Sequence, residues 1–325
     1  MLRVELNRRS LMALAAGLPL HALLCGRATG APMVAPATTP ALRYTMVAFT
    51  NNSQIDLYVY ESADATTFQL LKASAYQPPG ADPATPATDP TEMGPLLRDP
   101  SLFRSANGRY YLVYTTAWDG DTLGFACSDD LSNWTHMYDY RVPVSDVRHA
   151  WAPEWFLDPS GQVNVLVSLN TGAGFTPHLM TATDTQLSVW TPPTPLDGLA
   201  PSPGSENGYI DTTVVHHHGR YYAFVKNELT KFVELAVADQ LAGPYTVEWT
   251  GDWAGWGSPR EGQCVIRLPH GGWRIYLDAY NLDDPRSGRY LYSDSIDDFT
   301  EWTLPQPLPA VSGTIRHGTV LAELR

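Results

Sequence analysis

Cysteine is nearly absent, with three in 325 residues. Cys25 falls in an N-terminal apolar segment, so only Cys127 and Cys264 remain for the folded part. Two cysteines do not make a disulfide framework, and both read as buried thiols. Basic side chains are also scarce: 21 Lys and Arg face 34 Asp and Glu, a formal net charge of −13. A field of that sign repels nucleic acid and anionic membranes and fits a neutral partner such as a sugar. Charged residues make up 17% against 44% hydrophobic, which excludes a disordered chain. Beyond the N-terminal segment no stretch carries a 3.6-residue apolar period, so amphipathic helices are not expected. The apolar run at 13–24 is too short to stay across a bilayer. What the chain has in quantity is proline (27), tryptophan (10) and tyrosine (17), which lean towards a loop-rich all-β fold.

Asn7-Arg8-Arg9-Ser10-Leu11-Met12, the apolar run and the small residues after it read as a signal peptide over 1–30, of twin-arginine type. Ala22-Leu23-Leu24 before Cys25 is a poor match to a lipobox. Residues 31–41 read as a flexible linker and 42–325 as one domain, exported to the periplasm or secreted. No membrane association is expected after cleavage, and a monomer is expected.

A short pattern recurs five times after alternating apolar strands, with its aspartates at 64, 129, 184, 239 and 294. The steps are 65, 55, 55 and 55 residues. Each instance follows two strand-like runs, as in Arg109-Tyr110-Tyr111-Leu112-Val113-Tyr114 leading to Leu123-Gly124-Phe125-Ala126. A four-stranded antiparallel unit repeated five times predicts an all-β, five-bladed β-propeller. Its ring is expected to close with strands from both chain ends, Gly318-Thr319-Val320-Leu321-Ala322 supplying the missing inner strand. The long first step marks a loop over 77–93.

Each repeat begins with an ionisable residue: Asp99, Glu154, Asp211, Glu261 and His317. Inner strands line a propeller's channel, so these five are expected around one axis. Singly they are weak signals, since an Asp-Pro is usually a turn and a Glu before Gly a solvated loop end. Together they form a set that is costly to bury without a use. Inverting glycoside hydrolysis uses such a set: one carboxylic acid for the leaving oxygen and one carboxylate for water, roughly 6.5–9.5 Å apart. A third carboxylate can tune the acid.

These residues resemble glycoside hydrolase family 43 from about 43 to 324. The resemblance rests on Arg98-Asp99-Pro100-Ser101, Trp151-Ala152-Pro153-Glu154, Ile210-Asp211-Thr212-Thr213, Glu261-Gly262 and Arg316-His317-Gly318-Thr319. It implies Asp99 as general base, Asp211 as the residue that tunes and orients the acid, and Glu261 as general acid. It implies Glu154 as funnel support and His317 beside a central calcium or a water. No cofactor is required, calcium being the one metal that the resemblance suggests. Gln263 stands where the family commonly has proline. Arg316 reads equally as a hydroxyl-binding residue or as an ion-pair partner of a funnel carboxylate. The sugar platform is sought among Trp118, Trp151, Trp155, Trp253, Trp256 and Tyr280, with Trp118 and Trp151 foremost. The implied activity is on oligo- or polysaccharides of plant cell-wall type, as an exo-acting α-L-arabinofuranosidase or β-xylosidase. The alternatives are an exo-galactosidase of the same fold, a non-catalytic sugar-binding propeller, a retaining propeller glycosidase of another family, or a protein-interaction propeller.

Overall fold

Aromatic and β-branched runs bounded by Gly, Asp and Pro form every regular element: twenty strands and no helix among the described residues. The computed structural model describes residues 42–82, 94–200, 207–283, 288–296 and 298–324. The expected signal peptide and linker lie outside the described residues, as does 83–93 of the expected loop. Second strands such as β5 (Tyr110–Thr115) are buried along their whole length. A strand packed on both faces is a continuous apolar run, not an alternating one.

The strands form five four-stranded antiparallel sheets. The first combines β20 (Ile315–Leu324) with β1 (Leu42–Thr50), β2 (Ser53–Ser62) and β3 (Gln69–Lys72), in the order β20-β1-β2-β3. The other four are consecutive and start from β4 (Arg98–Arg104), β8 (His149–Leu157), β12 (Tyr209–His217) and β16 (Glu261–Arg267). The expected closure by both chain ends is therefore present, with Arg43 opposite Glu323 and Met46 opposite Val320.

Five apolar clusters correspond to the five seams between neighbouring blades. Tyr114 and Phe49 sit between the first and second blades, and Phe125 and Trp155 between the second and third. Leu166 and Ala223 join the third to the fourth, and Phe224 and Ile275 the fourth to the fifth. Tyr276 and Tyr44 complete the circle. Each sheet buries both faces only because it has a neighbour on each side, so the ring is the smallest stable unit.

Every inner strand carries the same irregularity. Pairing skips two residues after Arg98, Trp151, Ile210, Glu261 and Arg316. The first skipped residue has positive φ in each case: Asp99 (48°), Ala152 (49°), Asp211 (55°), Gly262 (55°) and His317 (35°). A bulge re-aims side chains and is a recurrent device beside functional sites. Only one of the five is glycine, so the surrounding ring must hold the other four in a conformation L-residues avoid.

Deleting Ile315–Leu324 is expected to prevent folding. It would uncover Met46, Val47 and Phe49, all fully buried. At roughly 1.5–3 kcal/mol per side chain the loss is on the order of 5–9 kcal/mol, comparable to a whole domain's stability. Soluble yield and a cooperative thermal transition would check this; retention of both would contradict the closed-ring account.

Candidate active site

The repeated bulges bring residues remote in sequence into one wall. A cavity of 420 Å³ is lined by Arg98 and Asp99 of β4, Trp151 of β8, Ile210 and Asp211 of β12, Glu261 of β16, and Arg316 and His317 of β20. Lys226, on β13 (Arg220–Asn227) opposite Ile210, completes its charged set with Glu228 and Lys231. Tyr280 and Trp118 supply rings.

Asp99 is nearly buried, at 8% exposed, and its Oδ2 accepts a 2.9 Å hydrogen bond from Thr115. Its other oxygen lies 3.2 Å from His317 Nδ1. Burial pushes the carboxyl up, but the His317 charge, Arg98 and Thr115 outweigh it and hold Asp99 well below the usual carboxylate range. His317 shows the converse: burial lowers it, while Asp211 and Asp99 carry it up to about 9. The imidazole is therefore a cation at neutral pH, wedged between two carboxyls.

Asp211 accepts the Gly262 N–H at 2.9 Å, and its Oδ2 lies 3.9 Å from His317 Nδ1. Burial raises it to about 6, against the pull of His317 and Lys226 and with the push of Glu261 and Asp99. Glu261 is the opposite case. Burial would raise it, yet Lys226 at 2.6 Å and the Arg316 guanidinium draw it down to about 2. Lys226 in turn forms an ion pair with Glu228 at 2.7 Å and lies 5.0 Å from the Tyr280 ring centre. Asp278, cross-strand from Glu261, holds Arg316 from behind. Asp211 and Glu261 are thus neighbouring carboxyls whose surroundings separate their protonation: one holds its proton up to about pH 6, the other is an anion well below that.

Asp99, Asp211, Glu261, Arg316, His317, Trp118 and Trp151 all meet at the cavity, as the sequence predicts. Arg316 takes the ion-pair role, with Glu261 and Asp278, and donates to Asn51 Oδ1 at 2.9 Å. Glu261 stands one residue before its bulge, level with Arg98 and not with Asp99, and Glu154 departs further from the expected register. It follows its bulge, so the residue equivalent to Asp99 is Ala152, and Glu154 lies one layer further along the axis. There it accepts the Thr213 hydroxyl, and burial raises it to about 8. This layer laces adjacent inner strands, as where Trp155 N–H donates to Ser101 Oγ at 3.1 Å. Of the six rings considered for a platform, Trp118, Trp151 and Tyr280 line the cavity. Trp155, Trp253 and Trp256 pack in the seams. Gln263 does what a proline could not: its Nε2 donates to the carbonyls of Phe224, at 2.9 Å, and Asp211.

The donors do not fit calcium, which takes about six to eight oxygens. The axial His317 turns a protonated Nδ1 towards Asp99 and Asp211, the two nearest carboxylates. Among the described residues, the one cluster of three ligand-type side chains is His217, His218 and Asp298, at the far end of β12.

Lys226 was not singled out in the sequence. The signal was composition: the chain has three lysines, and two of them, Lys226 and Lys231, line this cavity.

Residues 40–324 match the family described as "Probable glycosyl hydrolase domain", related to glycoside hydrolase family 43. No curated protein matches the sequence. Among solved structures, an endo-1,4-β-xylanase from Bacteroides thetaiotaomicron superposes with a TM-score of 0.61 at 14% identity, covering 85% of this chain and 93% of that one. An endo-arabinase from the same organism gives 0.59 at 15%, covering 80% and 92%. An exo-β-1,3-galactanase from Phanerochaete chrysosporium, crystallised with β-1,3-galactotriose, gives 0.60 at 14%, covering 85% and 62%. At these identities the likeness is one of fold.

Proposed function

This chain belongs to the glycosyl hydrolase family related to glycoside hydrolase family 43, and from that premise we propose that it is an exported, inverting, exo-acting glycosidase with the axial cavity as its active site. The observation that carries the proposal is the meeting of Asp99, Asp211 and Glu261, from three blades, in one cavity. Asp99 is assigned as the base that activates water: it is an anion at every working pH, and Thr115 and His317 fix its carboxylate. Glu261 is assigned as the donor to the leaving oxygen, with Asp211 beside it as the group that tunes its proton. The two titrate as a pair. Because Lys226 and Arg316 hold Glu261 ionised, the assignment requires bound sugar hydroxyls to draw these cations off it. A second reading is favoured by the pKa of about 6 at Asp211, which would make Asp211 itself the donor.

A cavity of 420 Å³ on the propeller axis supports action on a chain end. An α-L-arabinofuranoside or β-xyloside of plant cell-wall type is the first substrate class proposed, and a terminal galactoside the alternative. Turnover of the corresponding aryl glycosides, with NMR detection of the anomer first released, tests the proposal. Release of the inverted anomer supports it, and release of the retained anomer would overturn the mechanism.

Lys226→Met tests the role of the cation. Removing an opposite charge at 2.6 Å raises the pKa of Glu261, by roughly 1–3 units for a pair at such range. A group that must be protonated then stays so to higher pH. The alkaline limb of kcat/KM is expected to move up by about one unit or more. A limb that stays in place or moves down would remove Glu261 from the donor role.

A further inference from the structure

We infer that the sugar bound beside Arg98 carries an anionic group, a uronate carboxylate or a sulfate ester. The inference rests on the glycosidase reading and names its substrate class.

The other cations of the cavity wall have carboxylate partners. Arg316 pairs with Glu261 and Asp278, Lys226 with Glu261 and Glu228, Lys231 with Glu228, and His317 with Asp99 and Asp211. Arg98 has no carboxylate within 4.0 Å among the described residues. Its one hydrogen bond, from Nη1 to Gln54 Oε1 at 2.6 Å, goes to a neutral amide. Burial lowers its pKa, with only longer-range help from Asp99, Glu261 and Asp278. A guanidinium in a desolvated wall is expensive unless an anion meets it.

The side chain is also built to receive one. Its guanidinium carbon lies 4.0 Å from the Trp118 ring centre and 4.7 Å from that of Phe49, so two aromatic faces hold the fork in place. A fixed planar fork recognises a carboxylate or sulfate through paired hydrogen bonds, which a sugar hydroxyl cannot match. Arg98 and Asp99 line the same cavity, so an anion held by Arg98 shares it with the proposed attack site. The wall supports the same charge: five basic side chains (Arg98, Lys226, Lys231, Arg316, His317) face four acidic ones, in a chain of net charge −13. The chemistry connects with the neutral substrates proposed above. A glucuronide is a xyloside bearing a carboxylate on C5, and a galacturonide is a galactoside oxidised at C6.

Matched aryl glycosides test this: β-xyloside against β-glucuronide, galactoside against galacturonide, and galactoside against its 6-sulfate. Wild type is expected to favour one anionic member by ~10²-fold or more in kcat/KM, a lower bound set well under the roughly 10⁴–10⁵ by which a buried polar site rejects an analogue lacking its partner. The uronide and sulfate arms identify which anion it is. In Arg98→Gln that preference collapses, and in Arg98→Lys, which keeps charge without the fork, it falls only in part. Thermal shifts of wild type with free glucuronate, galacturonate or galactose 6-sulfate, against their neutral counterparts, give the same answer should the variants fail to fold. Turnover of neutral glycosides with no preference for and no binding of any anionic sugar would overturn this inference and leave the glycosidase reading standing. Binding of an anionic sugar through Arg98 without turnover of any glycoside would do the reverse.

Discussion

Glu261→Gln is expected to reduce kcat/KM by ~10³-fold for glycosides with poor leaving groups, and by less than about tenfold for a 2,4-dinitrophenyl glycoside. The contrast follows from the job. A donor matters in proportion to how badly the departing oxygen needs a proton, and dinitrophenolate leaves without one. Gln keeps the shape and a hydrogen bond to Arg316 or Lys226 but has no proton to give. The same pair of substrates applied to Asp211→Asn separates the two readings of the donor. If Asp211 only tunes and orients Glu261, its variant loses rate on both substrates. If the leaving-group rescue appears in Asp211→Asn and not in Glu261→Gln, the donor is Asp211, consistent with burial raising its pKa to about 6.

Asp99→Asn is expected to lose ~10³–10⁴-fold whatever the leaving group, because the missing function is activation of water and not departure of the aglycone. Two features make this a clean test. The amide fits the Thr115 hydroxyl and the same left-handed backbone, a conformation asparagine tolerates as well as aspartate does. The substitution also removes one of the two carboxylates that keep His317 charged, so its imidazole pKa should fall from about 9. NMR titration of His317 provides a readout that loss of a remote structural contact would not produce. Leaving-group rescue in Asp99→Asn would contradict its assignment as the base.

The propeller was legible in the sequence because the hairpins between outer strands repeat, although the recurring aspartates do not all do one job. Asp64 and Asp184 accept backbone N–H groups in their turns, at 2.7–2.9 Å. Asp129 pairs instead with Arg109, just before β5, and Asp239 and Asp294 with Arg220 and Arg274 of the second strands of their blades. Either interaction closes the same corner, so the period survives the change of chemistry. The inner residues were legible for a related reason: five starts of five strands must meet at one axis.

Registration was harder to see. A bulge adds residues to one strand without changing composition, so counting placed Glu154 level with Asp99, whereas backbone geometry puts Ala152 there. The layer behind the first was also hidden. Lys226 and Asp278 stand opposite Ile210 and Glu261, at corresponding places in adjacent second strands, and each ends an otherwise apolar run. Nothing in those runs reveals that one charge clamps Glu261 and the other anchors Arg316 until the sheets are assembled.

Closure by β20 ties the appearance of activity to the timetable of synthesis. Arg316 and His317 reach the cavity only with that strand, and the Arg43–Glu323 contact it completes joins residues 280 apart in sequence. While the ribosome is still adding the fifth blade, Glu261 lacks one of its two clamping cations and Asp99 lacks the imidazolium that pairs with it. A nascent chain short of residue 315 has four blades' worth of acids and no working arrangement of them, so hydrolysis begins only when the circle is shut.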